Sequence, residues 1–557
     1  MRSDWLPAER RPLTLAIRHL PADVLDTPAW ALQALAERPH PASTPGVIVP
    51  GTISDVPRPR PAVDEDDRRE LADALERALG PFGPHVAVIE SVRRLADPAA
   101  SMVVVGQQPG LLGGPLFNCY KALHAVRLAR ELESSWGTPV VPVFWNHADD
   151  HDVAEVHHLW IQNPNLDIQK VGLAGLASGK TPLGRIVLED ERHHIGAVGE
   201  LLRQTLQGEE RDVALETFLP RDGEPFSAAF TRIQLDLFGH LGLVVLEPEW
   251  IRERLSIALA HIVGKDIAAQ LEDGARRVAA TGSDVAIQPE GAALVFRLED
   301  DRRKALRLAA SGNYSYDGEA GSRTPSELAA EIIQAPGEWS AGALLRPVVQ
   351  DLALPVAAYV GGWGELAYHR QLAPLRETCG APAPVFVPRL SATLVDERVG
   401  ESLDKAAVDP GAVLRARGKL EPPEAGADDQ AQVVRDLLDL DRLLSERMGR
   451  LRDDLAELDR GLAGRLKKSA AQLHGSLQGL AEKAQRVHSN ARGSGERHFR
   501  RLNNGLFPRE TPQERVRGVL EFVAHYGRAW LDELLEEIDP FPTEHLLVYL
   551  KEEAPRP

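Results

Sequence analysis

Residues 102–158 read MVVVGQQPGLLGGPLFNCYKALHAVRLARELESSWGTPVVPVFWNHADDHDVAEVHH, and the fold follows from them. Residues 102–105 are a short apolar run of the kind that buries as a strand, 106–115 form a turn holding four glycines, and 116–133 carry amphipathic helical spacing. A second apolar strand follows at 140–145, and then a cluster of acids and histidines. Strand, helix and strand in that order make a βαβ unit of a parallel sheet. Ligands of such sheets lie beyond the carboxyl ends of the strands, so Gln107, Gln108 and the loop 146–152 are expected to converge on one crevice.

Working outward, residues 354–360 and 383–387 read as returning strands of the same sheet, with a helix over 364–378 between them. The intervening stretch mixes helical spacing, as in 250–278, with alternation, as in 286–298. The expected organisation is an N-terminal wrap and first half-core at 1–163, an inserted α/β region at 164–337, a second half-core at 338–425, and a coiled-coil and helical region at 426–557. The wrap contains a proline-rich stretch, 39–61, and a charged helix, 64–79. From 432 to 487 apolar residues fall three and four apart, beginning Leu437, Leu440, Leu444, Met448 and Leu451. That spacing predicts one long coiled-coil helix, returning through 496–506 and 513–537, which either pairs two chains or folds back as a hairpin.

The chain has 557 residues, 43% of them hydrophobic, enough for a large core. No run approaches 18 uninterrupted apolar residues, and the N-terminus lacks an apolar leader core, so neither membrane spanning nor export is expected. Cys119 and Cys379 are the only cysteines, too few for a disulfide framework, which suits a reducing cytoplasm. A net charge of −18 argues against general nucleic-acid binding and leaves small molecules as the expected partners.

Two local features carry candidate chemistry. Asn118, Lys121 and His124 share one helical face, where Lys121 could pair with a substrate carboxylate. Asp149, Asp150, His151 and Asp152, near His147, His157 and His158, suit a Zn²⁺ or Mn²⁺ site. They also suit a metal-free pocket in which a carboxylate holds an ammonium group and a histidine moves protons, and this is the expected arrangement.

GQQPGLLGGPLFNCYK (106–121) and PVFWNHADDHD (142–152) resemble the BshC family, the cysteine-adding enzyme of bacillithiol biosynthesis. So do RPVVQD (346–351), YVGGWGELAY (359–368), VPRLSAT (387–393), LNNGLFPRETPQERV (502–516) and IDPFPTEHLLVYL (538–550). The resemblance implies an α/β, Rossmann-like core of nucleotidylyl-transferase type with inserted connecting segments, and a C-terminal coiled coil that makes a homodimer. It also implies a ligase joining the carboxyl of L-cysteine to the amine of glucosaminyl-malate. On that basis Asp150, His151 and Lys121 are the expected catalytic groups, and Arg346 and Arg389 the carboxylate clamps. Gln107, Gln108, Asn118, Trp145, Asp149, Asp152, Asp351, Tyr359, Gly361, Gly362, Glu365, Tyr368 and Ser391 complete the expected substrate contacts, without a metal. No GxxxxGK[ST] occurs. ATP or ADP is the candidate cofactor, because an amide from a free carboxylate is uphill in water. The alternatives are a metal-dependent hydrolase built on 149–158 and a non-catalytic sugar-binding coiled-coil scaffold.

Overall fold

In the computed structural model, which describes residues 13–59, 65–176, 179–309, 311–316, 321–422 and 427–552, the apolar runs assemble into one parallel sheet. Strands Ser101–Gln107 and Val140–Asn146 run in register, from Ser101 opposite Val140 to Gln107 opposite Asn146. Both are buried on the two faces, which is why they read as continuous apolar runs rather than alternating ones. Strand Val356–Gly361 pairs with the other side of Ser101–Gln107, and Phe386–Pro388 lies outside it. The fifth strand, Val244–Leu246, flanks Val140–Asn146. It falls within the stretch expected to be an insertion, because three residues are too few for a periodic signal. The chain thus leaves the central strand first to one side and later to the other, and the switch point lies between Ser101–Gln107 and Val356–Gly361.

Helix Leu116–Trp136 packs along these strands and ends at Gly137, whose φ of 68° is the left-handed stop that glycine permits. The single helix expected over 364–378 is two, Trp363–His369 and Ala373–Cys379. Pro374, in the first turn of the second, lacks the N–H a continuous helix would need. The inserted region contributes a four-stranded antiparallel sheet ordered Trp339–Ala341, Ala293–Glu299, Arg302–Leu308, Tyr314–Tyr316. Near the termini, Leu13–Pro21 pairs antiparallel with Glu544–Glu552, which also runs parallel to Ser391–Val395. Helix Glu65–Leu79 occupies the charged N-terminal stretch. The start expected for it at Asp64, and the end of the proline-rich stretch at 60–61, lie outside the described residues. Among the described residues no helix is long and apolar enough to cross a membrane.

The chain divides into two compact units, one of residues 1–397 with 511–557 and a second of 398–510, so the expected boundary at 426 shifts and the last residues rejoin the core unit. In the second unit the helix expected through 432–487 is broken into Ala427–Leu458 and Arg460–Leu506. Asp459 makes the break: it is extended, at φ −157° and ψ 120°, and its carboxylate caps the N–H groups of Gly461 and Leu462. The two helices form an antiparallel hairpin in which Asp441 bonds both His474 (2.8 Å) and Gln478 (2.7 Å). Asp441, 6% exposed, occupies the seam position that the heptad pattern gave to Leu440, which is 44% exposed. Residues 496–506 are therefore the end of the second hairpin helix, and 513–537 belong to the core unit.

Phe144 is fully buried on the central sheet and packs against Phe230 with ring centroids 5.5 Å apart. Phe144→Ala should cost about 3–5 kcal/mol, the usual sum of lost transfer energy and residual cavity. Chemical denaturation followed by tryptophan fluorescence checks this; a loss under about 1 kcal/mol would contradict the described core.

Candidate active site

A cavity of about 700 Å³ opens at the switch point. Its floor is the end of the first strand, Gly106 to Gln108, with Lys121 from the following helix. One wall comes from Trp145, His147, Asp149, Asp150 and His151, after the second strand; the opposite wall is Arg346, Gly362, Glu365 and Tyr368. The inserted sheet adds Phe296, Arg303 and Trp339. Gly106 is required by packing, since a Cβ there would stand 2.7 Å from His147 Nε2 and 3.0 Å from the Tyr359 hydroxyl.

Lys121 is buried with all three ammonium hydrogens engaged. It donates to Gly106 O (2.7 Å) and Gln107 Oε1 (3.1 Å) and pairs with Glu365 (2.7 Å). The expectation that it binds a substrate carboxylate is thereby corrected: the carboxylate it holds is internal. Burial opposes ionisation of Glu365, but Lys121, the Gly362 N–H and the Tyr359 hydroxyl overcome it and hold this carboxyl below its ordinary range.

The acid cluster is similarly sorted. Asp149 lines the cavity, yet both its oxygens are gripped by the buried guanidinium of Arg252, which with Arg303 and Arg185 keeps it ionised against burial. Asp150 accepts from Gln108 Nε2 (2.7 Å) and from the backbone N–H of His151 (2.6 Å). His151 stands 3.3 Å from Arg303 Nη1. Asp152 is not a site residue: it lies off the cavity and caps the short helix Val153–Val156 through the Ala154 N–H. His157 bonds Val153 O at 2.9 Å. With the acids so committed, no group of three or more His, Cys, Asp or Glu among the described residues is placed to hold a metal ion.

Arg346 donates one nitrogen to the Tyr368 hydroxyl at 2.8 Å, while its Nη1 is buried without a partner. Burial works against its charge, but the tyrosines and Glu365 around it raise its pKa further, so it stays a cation. Trp145 also lines the cavity, its indole N–H unpartnered. Several expected contacts are structural instead. Arg389 borders the cavity but spends its guanidinium on Glu514 and on Leu390 O (2.7 Å), so it is no open clamp. Ser391 bonds His545 (2.9 Å) and Glu514 (3.3 Å) beside a separate cavity of about 280 Å³. Gly361 borders that second cavity too, pressed against the Phe386 ring, where a Cβ would come within 2.6 Å. Asp351 is paired with Arg376 at 2.7 Å, away from the cavity. Tyr359 sits behind the wall, donating to Glu365 at 2.6 Å. Asn118 supports the glycine turn through Gly113 O (3.2 Å), and His124 ties Leu390 N to Pro540 O.

Three arginines of the lining escaped sequence reasoning: Arg252, Arg303 and Arg515. His147 stands beside the acids in sequence, whereas Arg303 lies in the charge-rich stretch LEDDRRK (298–304), in which nothing local marks one arginine as buried. Arg515 makes no side-chain hydrogen bond or close ion pair among the described residues, and Glu514 and Glu365 act on it only from a distance.

A parallel sheet of Rossmann type, a charged crevice at its switch point and a helical hairpin together define a Rossmann-like protein with a coiled-coil domain. Its sequence matches the model of the bacillithiol biosynthesis BshC N-terminal Rossmann-like domain over residues 58–390 and that of the BshC C-terminal coiled-coil domain over 392–550. The chain belongs to the BshC family. It is 31% identical over 501 residues to a protein of Koribacter versatilis, covering 86% of this chain and 90% of that one. A Solibacter usitatus protein is 30% identical over 499 residues (86% and 89%), and one from Geobacillus thermodenitrificans 30% over 507 (87% and 91%). All three bear the name cysteine ligase BshC. Among solved structures, arginyl-tRNA synthetase of Thermus thermophilus aligns at 13% identity over 75% of this chain and 82% of that one, with a TM-score of 0.17.

Removing Lys121 would leave Glu365 buried and uncompensated. Lys121→Met should destabilise by about 3–5 kcal/mol, and adding Glu365→Gln should recover part of it. Because the folded-state pKa of Glu365 is lowered, the pair's contribution is full above the ordinary carboxylate range and is lost as pH falls through the lower native value. Denaturation midpoints of the parent, Lys121→Met, Glu365→Gln and the double variant between neutral and acidic pH measure this; additive losses in the double variant would contradict a direct pair.

Proposed function

We propose that this cavity binds L-cysteine and glucosaminyl-malate and joins the cysteine carboxyl to the sugar amine, forming bacillithiol in the cytoplasm. Family membership supports the reaction, and the unpartnered buried Nη1 of Arg346 is the observation that carries the site. A desolvated guanidinium with a free donor seeks an anionic oxygen, and the malyl group brings two carboxylates. Arg515 offers a second unfilled cation on the same cavity. Gln107, Gln108, Trp145 and Tyr368 line the space the substrates would fill. Asp150 is the carboxylate we assign to take the amine proton, since Asp149 is locked to Arg252 and Glu365 to Lys121. Lys121 becomes a positioning residue.

The protein incubated with cysteine and glucosaminyl-malate, with and without ATP, should yield the amide-linked thiol by mass spectrometry. ATP is an arm of the assay because the carboxyl needs activation. Arg346→Lys keeps the charge and loses the fork, so apparent affinity for the sugar substrate should fall roughly tenfold. Asp150→Asn should lower turnover by about 10²-fold. No thiol product under either condition would overturn the reaction, and unchanged kinetics in the variants would overturn the site.

We also propose that two copies of the chain pair through the helical hairpin. Leu440, Leu443, Leu451, Leu462, Leu473 and Leu480 are all more than 40% exposed there, an apolar row the hairpin itself does not cover. Leu451→Asp should convert a dimer into a monomer in light scattering at unchanged helical content; a monomeric parent protein would contradict the pairing.

A further inference from the structure

Arg303 enters the cavity from strand Arg302–Leu308 of the inserted sheet and meets His151 there. Arg303 is 6% exposed, and its guanidinium lies over the Phe296 ring at 3.7 Å. Nη1 stands 3.3 Å from His151 Nδ1, and Nη2 makes only long contacts, 3.4 Å each, to Ser340 Oγ and Ala341 O. A guanidinium has donors and no acceptor, and it keeps its proton in proteins. His151 Nδ1 therefore meets it as a lone pair. The competing partner, Asp150 Oδ1, is 3.8 Å from Nδ1, beyond hydrogen-bond length, and already accepts the His151 backbone N–H at 2.6 Å.

An imidazole whose Nδ1 is the acceptor carries its hydrogen on Nε2. The surroundings favour the neutral ring. Burial is the largest influence on His151 and lowers its pKa; Arg303 and Lys180 act in the same direction, and Asp150 and Asp152 oppose them. Nε2 has no protein partner among the described residues, and the residue lines the cavity.

We infer that His151 serves the reaction as a hydrogen-bond donor through Nε2, directed at a carbonyl or carboxylate oxygen of the substrate, and that Arg303 is the positioning residue that fixes this tautomer. This rests on the ligase reading for the identity of the oxygen, but not for the tautomer. The role differs from that expected of a histidine beside acids: His151 takes no proton, and proton acceptance stays with Asp150. A donor aimed where negative charge develops on an acyl oxygen stabilises the transition state without changing protonation. The inserted sheet thereby contributes to the chemistry as well as covering the cavity.

The test is ¹⁵N NMR of histidine-labelled full-length protein near pH 7, with the His151 signals assigned by their loss in His151→Gln. The expected result is a pyridine-like Nδ1 and a pyrrole-like Nε2, with Arg303→Met shifting the pair toward a tautomer mixture. A pyridine-like Nε2, or two protonated nitrogens, would overturn the inference. In turnover, the amide of Gln reaches the Nε2 position and can donate, so His151→Gln should keep at least about one tenth of kcat where His151→Ala loses about 10²-fold. Equal losses in both would also overturn it, because a base is lost in either variant. A wild-type protein that makes no amide would sink the ligase reading alone, since the spectrum is recorded without substrate.

Discussion

The ion pair between Lys121 and Glu365 joins the two halves of the sheet at the point where a ligand must enter. Lys121 follows the first strand and Glu365 the returning one, and they meet at 2.7 Å across the switch point. A buried pair of charges loses much of its attraction to desolvation and persists only when the remaining donors and acceptors are also filled. Here they are: Gly106 O and Gln107 take the other ammonium hydrogens, while Gly362 N and Tyr359 donate to the carboxylate.

Once that pair is made, the charges around the cavity fall into two sets. Arg252 and Arg389 are consumed by Asp149 and Glu514, and they shape the walls. Arg346, Arg303 and Arg515 retain unfilled or poorly filled donors, and all three line the cavity. The surplus of donors is local, in a chain whose net charge is −18. An anionic group would complete what the protein leaves unpaired.

Patterns that depend on neighbours in sequence were legible, and those that depend on distant partners were not. The βαβ unit over 101–146 emerged from apolar runs and glycines, as did the crevice holding Gln107, Gln108, Asp150 and His151. Arg389 looked like a free clamp because its partner, Glu514, lies 125 residues away. Asp351 looked like a sugar contact because nothing marked Arg376 as its mate. Asp459 read as one more polar residue in a heptad run, although its extended backbone splits the run into a hairpin. Arg303 sat in a stretch whose composition suggests solvent, and only the fold turns it inward. Periodicity reports which face is apolar; it does not report which buried charge meets which.

We propose that the cavity at the switch point, with Arg346 as its anchor, receives the malyl sugar. A crystal structure of the protein grown with glucosaminyl-malate tests it most directly. The expected result is a malyl carboxylate within hydrogen-bond distance of Arg346 Nη1 and the sugar amine beside Asp150, with the Lys121 to Glu365 pair intact. Sugar density elsewhere on the molecule, or a bound malyl group that leaves Arg346 Nη1 unpaired, would contradict it.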